Sequence, residues 1–206
     1  MANVTPVIGT PTPSENQSIL AAINSANLLS LAQSILSPGY TLNATNKNFQ
    51  KVTDGDQTNY IAIYPIDGEV EAPSQFAALL DSSFNVTTWS VVLSTPAPDN
   101  QVHVKLIKDG KVTLDKDYGT TTKNAVITEA QEPPGSGGSS PGYFSRLSDC
   151  LSNLGVTGTA LSIFQDVCEP ICIASVTTLG AACVDCGIVN AAIPAAEITY
   201  CAAYAI

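Results

Sequence analysis

Cysteine is absent from the first 149 residues of this 206-residue chain, and all six cysteines fall between Cys150 and Cys201. Basic residues are scarce, and they follow the opposite pattern. Seven of the eight Lys and Arg lie before position 130, and only Arg146 follows. Against 18 acidic residues and a net charge of -10, the chain lacks the clustered cations that bind nucleic-acid phosphates and release their counterions. No nucleic-acid partner is expected, and adsorption to anionic lipid is disfavoured for the same reason. Histidine is represented by His103 alone, which removes Ser-His and Cys-His catalytic arrangements unless this one imidazole serves them. It lies on the polar side of an expected strand, where a solvated ring is the simplest reading. No glycine-rich phosphate loop follows a strand. Asp54-Gly55-Asp56 lacks the remainder of a calcium loop and reads as a polar turn. Neither enzymatic activity nor a cofactor is therefore expected. The opening "MANVTPVIGTPTPSENQ" has no basic n-region and no apolar h-region, so residues 1–14 read as a disordered lead-in with no recognisable signal peptide. The Asn-x-Ser/Thr matches at Asn3, Asn16, Asn43 and Asn85 carry little weight by themselves.

Two compositions share the chain. In "QSILAAINSANLLSLAQSIL", residues 17–36, Ile19, Ile23, Ala26, Leu29, Leu31 and Ile35 recur at largely helical spacing. Ser14 and Glu15 supply a start and "SPGY" a stop. The period then shifts towards two, and "NYIAIYPI" and "TTWSVVLST" read as strands. Between them "APSQFAALLDSS" suits a short helix opening at Pro73. "QVHVKLIKDGKVTLDKDYG" reads as a hairpin about Asp109-Gly110. A two-residue turn would set Leu106 against Thr113 and put the apolar sets on opposite faces. A three-residue loop with Gly110 left-handed in a bulge pairs Leu106 with Val112 and Val104 with Leu114, and this bulged hairpin is the expectation. Residues 15–130 thus read as an α+β domain large enough to bury its own core. "EAQEPPGSGGSSPGY" follows, a Pro, Gly and Ser run of flexible-linker composition. Residues 131–142 form this linker, and Pro134, Gly135, Gly137, Gly138 and Gly142 make it a natural protease target.

The remaining part, residues 143–206, is small and apolar, with one arginine against five carboxylates. Parts of this size usually need disulfides, metal or a partner to stay folded. Cys168-x3-Cys172 and Cys183-x2-Cys186 could form a four-thiolate zinc set, but the stretch between them is apolar and helix-like, and zinc would strand Cys150 and Cys201. A redox role for "CVDC" lacks a preceding strand and any basic neighbour. At about 100° per residue, the i,i+4 and i,i+3 pairs each point both sulfurs to one helix face, towards another helix. The glycines and prolines between the cysteines, Pro170 among them, prevent one helical phase from persisting throughout. The expectation is a small all-α C-terminal domain of two to four short helices, clasped by disulfides among Cys150, Cys168, Cys172, Cys183, Cys186 and Cys201. Fifteen connectivities are open. Such cysteine usage implies an oxidising, secreted setting. The run "GIVNAAIPAAEITYCAAYAI" is about the length that spans a bilayer, although Pro194 and Glu197 interrupt it. The absence of lysine there excludes the usual cationic antimicrobial logic.

With its "CEPICIASVTTLGAACVDCG" leading through "NAAIPAAEITYCAAYAI", the C-terminal part resembles the halocin-type cysteine-rich peptide bacteriocins, the C-eight halocin and its relatives. The likeness covers roughly residues 145–206. It implies an apolar, non-cationic peptide cut from a precursor, acting on the target-cell membrane or a membrane receptor. It also implies that residues 15–130 confer immunity, binding the chain's own C-terminal part and masking it. The alternative is a secreted or surface-associated structural or binding protein whose disulfide-stapled module is never released.

Overall fold

The computed structural model of the protein describes residues 7–54, 56–119, 143–156, 158–174, 181–194, 197–198 and 200–201. The readings placed on residues 1–6 and on the linker, including Pro134, Gly135, Gly137, Gly138 and Gly142, lie outside the described residues.

After a three-residue strand, β1 (Val7–Gly9), the chain enters α1 (Pro13–Ser25) through a capping box. The Glu15 amide donates to Thr12 Oγ1 (3.3 Å) and the Thr12 amide to Glu15 Oε2 (2.6 Å). Two orphan donors are thereby satisfied, and Pro13 takes the first-turn position where a missing N–H costs nothing. The single helix expected over residues 17–36 is two helices. Asn27 adopts φ 51, and α2 (Leu28–Ile35) leaves α1 at a bend of 57°. Asparagine tolerates this left-handed conformation better than most residues. The bend brings Ile19 and Ile23 of α1 and Leu28 and Ala32 of α2 into one buried cluster.

The strands β2 (Thr41–Leu42), β3 (Asn48–Asp54), β4 (Gln57–Asp67), β5 (Glu71–Leu80), β6 (Val86–Ala97), β7 (Gln101–Lys108) and β8 (Lys111–Gly119) complete the sheet. It is antiparallel throughout, in the order β1-β3-β4-β5-β6-β7-β8, and β2 pairs with β4 beyond the end of β3. The expected strands at "NYIAIYPI" and "TTWSVVLST" are β4 and β6. The helix expected in "APSQFAALLDSS" is instead the central strand β5. Phe76, Ala78 and Leu80 join the α1–α2 cluster, while Ala77 and Leu79 join the cluster on the opposite face. A strand buried on both faces shows a continuous apolar run instead of alternation, and this run of Ala and Leu therefore mimics a helix.

The β7–β8 hairpin also departs from expectation. Asp109 (φ 48) and Gly110 (φ 80) form a two-residue turn, with Lys108 opposite Lys111 and Ile107 opposite Val112. The extra residue lies further along, at Thr113, so that Leu106 faces Leu114 and Val104 faces Lys116. The bulge restores Leu106 and Leu114 to one face, which an unbroken two-residue hairpin would prevent. It also leaves Val112 exposed.

Three further helices, α3 (Tyr143–Asn153), α4 (Gly158–Ala174) and α5 (Ala181–Ala191), cover the other face of the sheet. Pro170, expected to interrupt the helical phase, lies inside α4. An interior proline costs a helix about 3 kcal/mol. Here the disulfides of Cys168 and Cys172, on either side of Pro170, tie both halves of α4 to α5. The architecture is thus mixed α/β, with one antiparallel sheet between two helical layers and three disulfides near the C-terminus. Val52, Ile61, Ala77, Val92, Val104 and Leu106 of the sheet share one core with Leu147, Leu151, Phe164 and Ile188 of the helices. Residues 15–130 thus bury one core with α1 and α2 on one face of the sheet, and share a second core with α3–α5 on the other.

Candidate functional site

The site is the face of the sheet that carries the cysteine-rich helices. In α4 Cys168 and Cys172 are one turn apart, and in α5 Cys183 and Cys186 are nearly so, which places each pair on one helix face. The two helices meet as a hairpin, and the rungs form in antiparallel order. Cys168 bonds Cys186 (Cα–Cα 5.8 Å) and Cys172 bonds Cys183 (4.6 Å). Cys150 of α3 bonds Cys201 (5.5 Å) and encloses both. The connectivity is nested, with sequence separations of 51, 18 and 11. All six cysteines are buried. The four that could have formed a thiolate set are thus joined in pairs, and among the described residues no His, Cys, Asp or Glu side chains are grouped to hold a metal ion. Disulfides of this kind are consistent with an extracellular protein.

Close packing supports the clasp. Phe144 stacks on Phe164 with ring centroids 5.3 Å apart. A Cβ at Gly187 would collide with the Ile198 side chain and approach Phe164 Cε2 to 3.2 Å. Only glycine lets α5 come this near.

The helices are docked onto the sheet by apolar burial and aligned by polar contacts. Asn59 Nδ2 donates to Asp185 Oδ2 (2.9 Å), Gln75 Nε2 to the Ile188 carbonyl (2.9 Å) and Ser90 Oγ to the Val189 carbonyl (2.7 Å). The two carbonyls belong to the last turn of α5, where a helix has no internal donors left. At that end Ala192 adopts φ 53 and the Ile193 amide reaches only the Gly187 carbonyl. The sheet therefore supplies caps to the last turn of α5. On α4, Asp166 Oδ2 accepts from Tyr118 OH (2.6 Å) and from Lys116 Nζ (2.7 Å). Burial pushes the Asp166 carboxyl up, but its bonds from Lys116 and Tyr118 outweigh that and hold it below its usual range. Burial, and then the Asp166 carboxylate, push the Tyr118 phenol well above its ordinary value. Each fully buried large apolar side chain is worth roughly 1.5–3 kcal/mol, against about 1 kcal/mol net for a typical hydrogen bond. Burial therefore drives the docking, and the polar contacts fix where α4 and α5 sit.

The other residues singled out from the sequence fall elsewhere. His103 lies on the opposite face, where its Nδ1 is 2.7 Å from Asp117 Oδ1 and its Nε2 is 3.0 Å from Asp115 Oδ1. All three side chains are substantially exposed. Asp54 ends β3 opposite Gln57, the first residue of β4, and Asp56 lies in the turn between them. The Glu197 amide bonds the Pro194 carbonyl (3.1 Å). The apolar run from Gly187 does not continue as one helix, because α5 ends at Ala191. No single helix among the described residues is long and apolar enough to cross a membrane; α1 and α2 meet that test only together, as a bent pair.

Sequence reasoning missed Asn59, Gln75, Ser90, Lys116, Tyr118 and Asp166. Two of them left a signal. Gln75 and Ser90 are polar residues inside otherwise apolar strands, the pattern of a buried group waiting for a partner.

Comparison with known proteins adds no relative: no family model matches the chain, and no curated protein and no solved structure matches it.

Proposed function

We propose that the chain is the precursor of a secreted cysteine-rich peptide bacteriocin. In this reading residues 143–206 are a small all-α toxin module that acts on the target-cell membrane or a membrane receptor. Residues 15–130 mask the module and confer immunity on the producer, and cleavage falls in the Pro/Gly/Ser segment at 131–142. The observation that carries the reading is the seating of three disulfide-bonded helices, by their apolar faces, against one apolar sheet face. That arrangement is suited to storing a hydrophobic peptide out of water. The resemblance to halocin-type precursors adds the two-part layout. The test is the intact mass of the native product in culture fluid, alkylated before and after reduction. The expected species is a fragment lying C-terminal to the 131–142 segment that takes no label unreduced and six after reduction. A product that stays full length, or whose thiols label freely, contradicts it.

One observation favours a second reading, in which the module stays attached in a secreted or surface-associated binding protein. The last turn of α5 takes its caps from Gln75 and Ser90, as a permanently docked helix would. Persistent full-length protein in the medium, with all six cysteines oxidised, supports this reading over the first.

A further inference from the structure

From the same contacts we infer a further function for the cysteine-free sheet, whether or not the C-terminal part is ever released. The sheet is an intramolecular folding template that selects the disulfide connectivity of the helices.

Six cysteines can pair in fifteen ways, and the helices by themselves discriminate poorly among them. Both cysteines of α4 face α5, so Cys168 and Cys172 could each reach a sulfur of α5 after a small sliding of one helix along the other. A shift of one turn, about 5.4 Å, brings Cys168 level with Cys183 or, in the other direction, Cys172 level with Cys186, and strands the remaining two sulfurs. What opposes the shift is contact outside the clasp. Asp166 holds α4 to Lys116 and Tyr118 of β8, while the last two described carbonyl contacts of α5 are to Gln75 of β5 and Ser90 of β6. Each helix is thus indexed separately against one surface; a slide of α5 leaves the buried Ser90 hydroxyl unpaired and a slide of α4 the buried Tyr118 hydroxyl, at about 1–3 kcal/mol each. The template can form first. Residues 7–119 contain no cysteine, and their strands pair with one another throughout the sheet. The α1–α2 layer on the far face also packs without the C-terminal helices.

Trp89 makes the inference testable in the full chain. It is the only tryptophan, and it belongs to the α1–α2 cluster, on the far face from the cysteines. Its fluorescence therefore reports the sheet and not the clasp. The first experiment reduces all six cysteines in the wild-type protein without denaturant. A native-like Trp89 spectrum is expected; its loss overturns the inference, because an unfolded sheet cannot guide pairing. The second compares oxidative refolding from the reduced, unfolded state in glutathione buffer, with disulfides mapped by peptide mass. The double variant Gln75→Leu/Ser90→Ala should keep its Trp89 signal. Its yield of the three native pairs should fall at least about threefold, towards the statistical limit of about one in fifteen. Native pairing at wild-type yield and rate in that variant overturns the template. The wild-type measurement decides the order of events even where the double variant fails to fold.

Discussion

Residues 7–119 and 143–201 hold their structure by different means. The first region has no cysteine, and its long antiparallel strands pair neighbour to neighbour in sequence order from β3 to β8. The second has three described helices and three crosslinks. The difference teaches that each region meets the other's need. A sheet with two apolar faces must cover both, and α1 and α2 cover only one. Short helices with few residues between them cannot bury enough surface alone. They gain a core from the sheet and stiffness from their sulfurs.

That contrast can be broken most severely at its crosslinks. Replacing Cys150 and Cys201 together by serine opens the longest loop, with a separation of 51. On the chain-entropy model the loss is about 4 kcal/mol, compared with about 3 kcal/mol for each of the two inner bridges. Denaturant titration should show it as a lower midpoint in both the helical signal and Trp89 fluorescence, because the two regions share a core. Cutting the shared core is comparable. Phe164→Ala removes a fully buried ring between Phe144 and Gly187 and should cost about 3–5 kcal/mol, lowering the denaturation midpoint for both regions together. A midpoint change confined to one region would show that the two cores are separate.

Smaller changes sharpen the comparison. Asp166→Asn keeps the shape at the α4–β8 contact but removes the charge paired with Lys116. The pair is partly exposed, so a loss of only about 1 kcal/mol is expected, read as a lower thermal midpoint. The smallest effect lies wholly within the first region. Glu15 accepts from Lys51 Nζ (2.7 Å) and Tyr60 OH (2.6 Å). The Lys51 bond, then those from Tyr60 and Thr12, lower its carboxyl from 4.5 to about 2. Because the folded value is depressed, the stabilisation is present above pH 4.5 and is lost as pH falls from there through about 2. Glu15→Gln should flatten the pH dependence of stability in that window, and an unchanged slope would remove Glu15 from the account.

Much of this organisation was legible in the sequence, because local signals and tertiary outcome agree there. β4 and β6 were visible from their β-branched and aromatic content, and the clasp from cysteines at i,i+3 and i,i+4. Elsewhere tertiary burial overrode local preference. β5 is flanked by helices on both faces and shows no period of two, so Ala77-Ala78-Leu79-Leu80 looked helical. The β7–β8 register turned on one extra residue, Thr113, whose Oγ1 donates to the Leu106 carbonyl (3.3 Å). No turn motif announces a bulge three residues past the turn. The docking contacts were out of reach for another reason: Gln75 and Ile188 are 113 residues apart, and Asn59 and Asp185 are 126 apart.

The central claim is that the sheet face holds the disulfide-clasped helices by direct non-covalent contact. The most direct measurement is limited proteolysis of the purified, oxidised protein within residues 120–142, followed by native mass spectrometry of the nicked product. The account predicts a one-to-one complex of the two pieces with all three disulfides intact, dissociating only under denaturing conditions. Two pieces that separate on nicking in native buffer would contradict it.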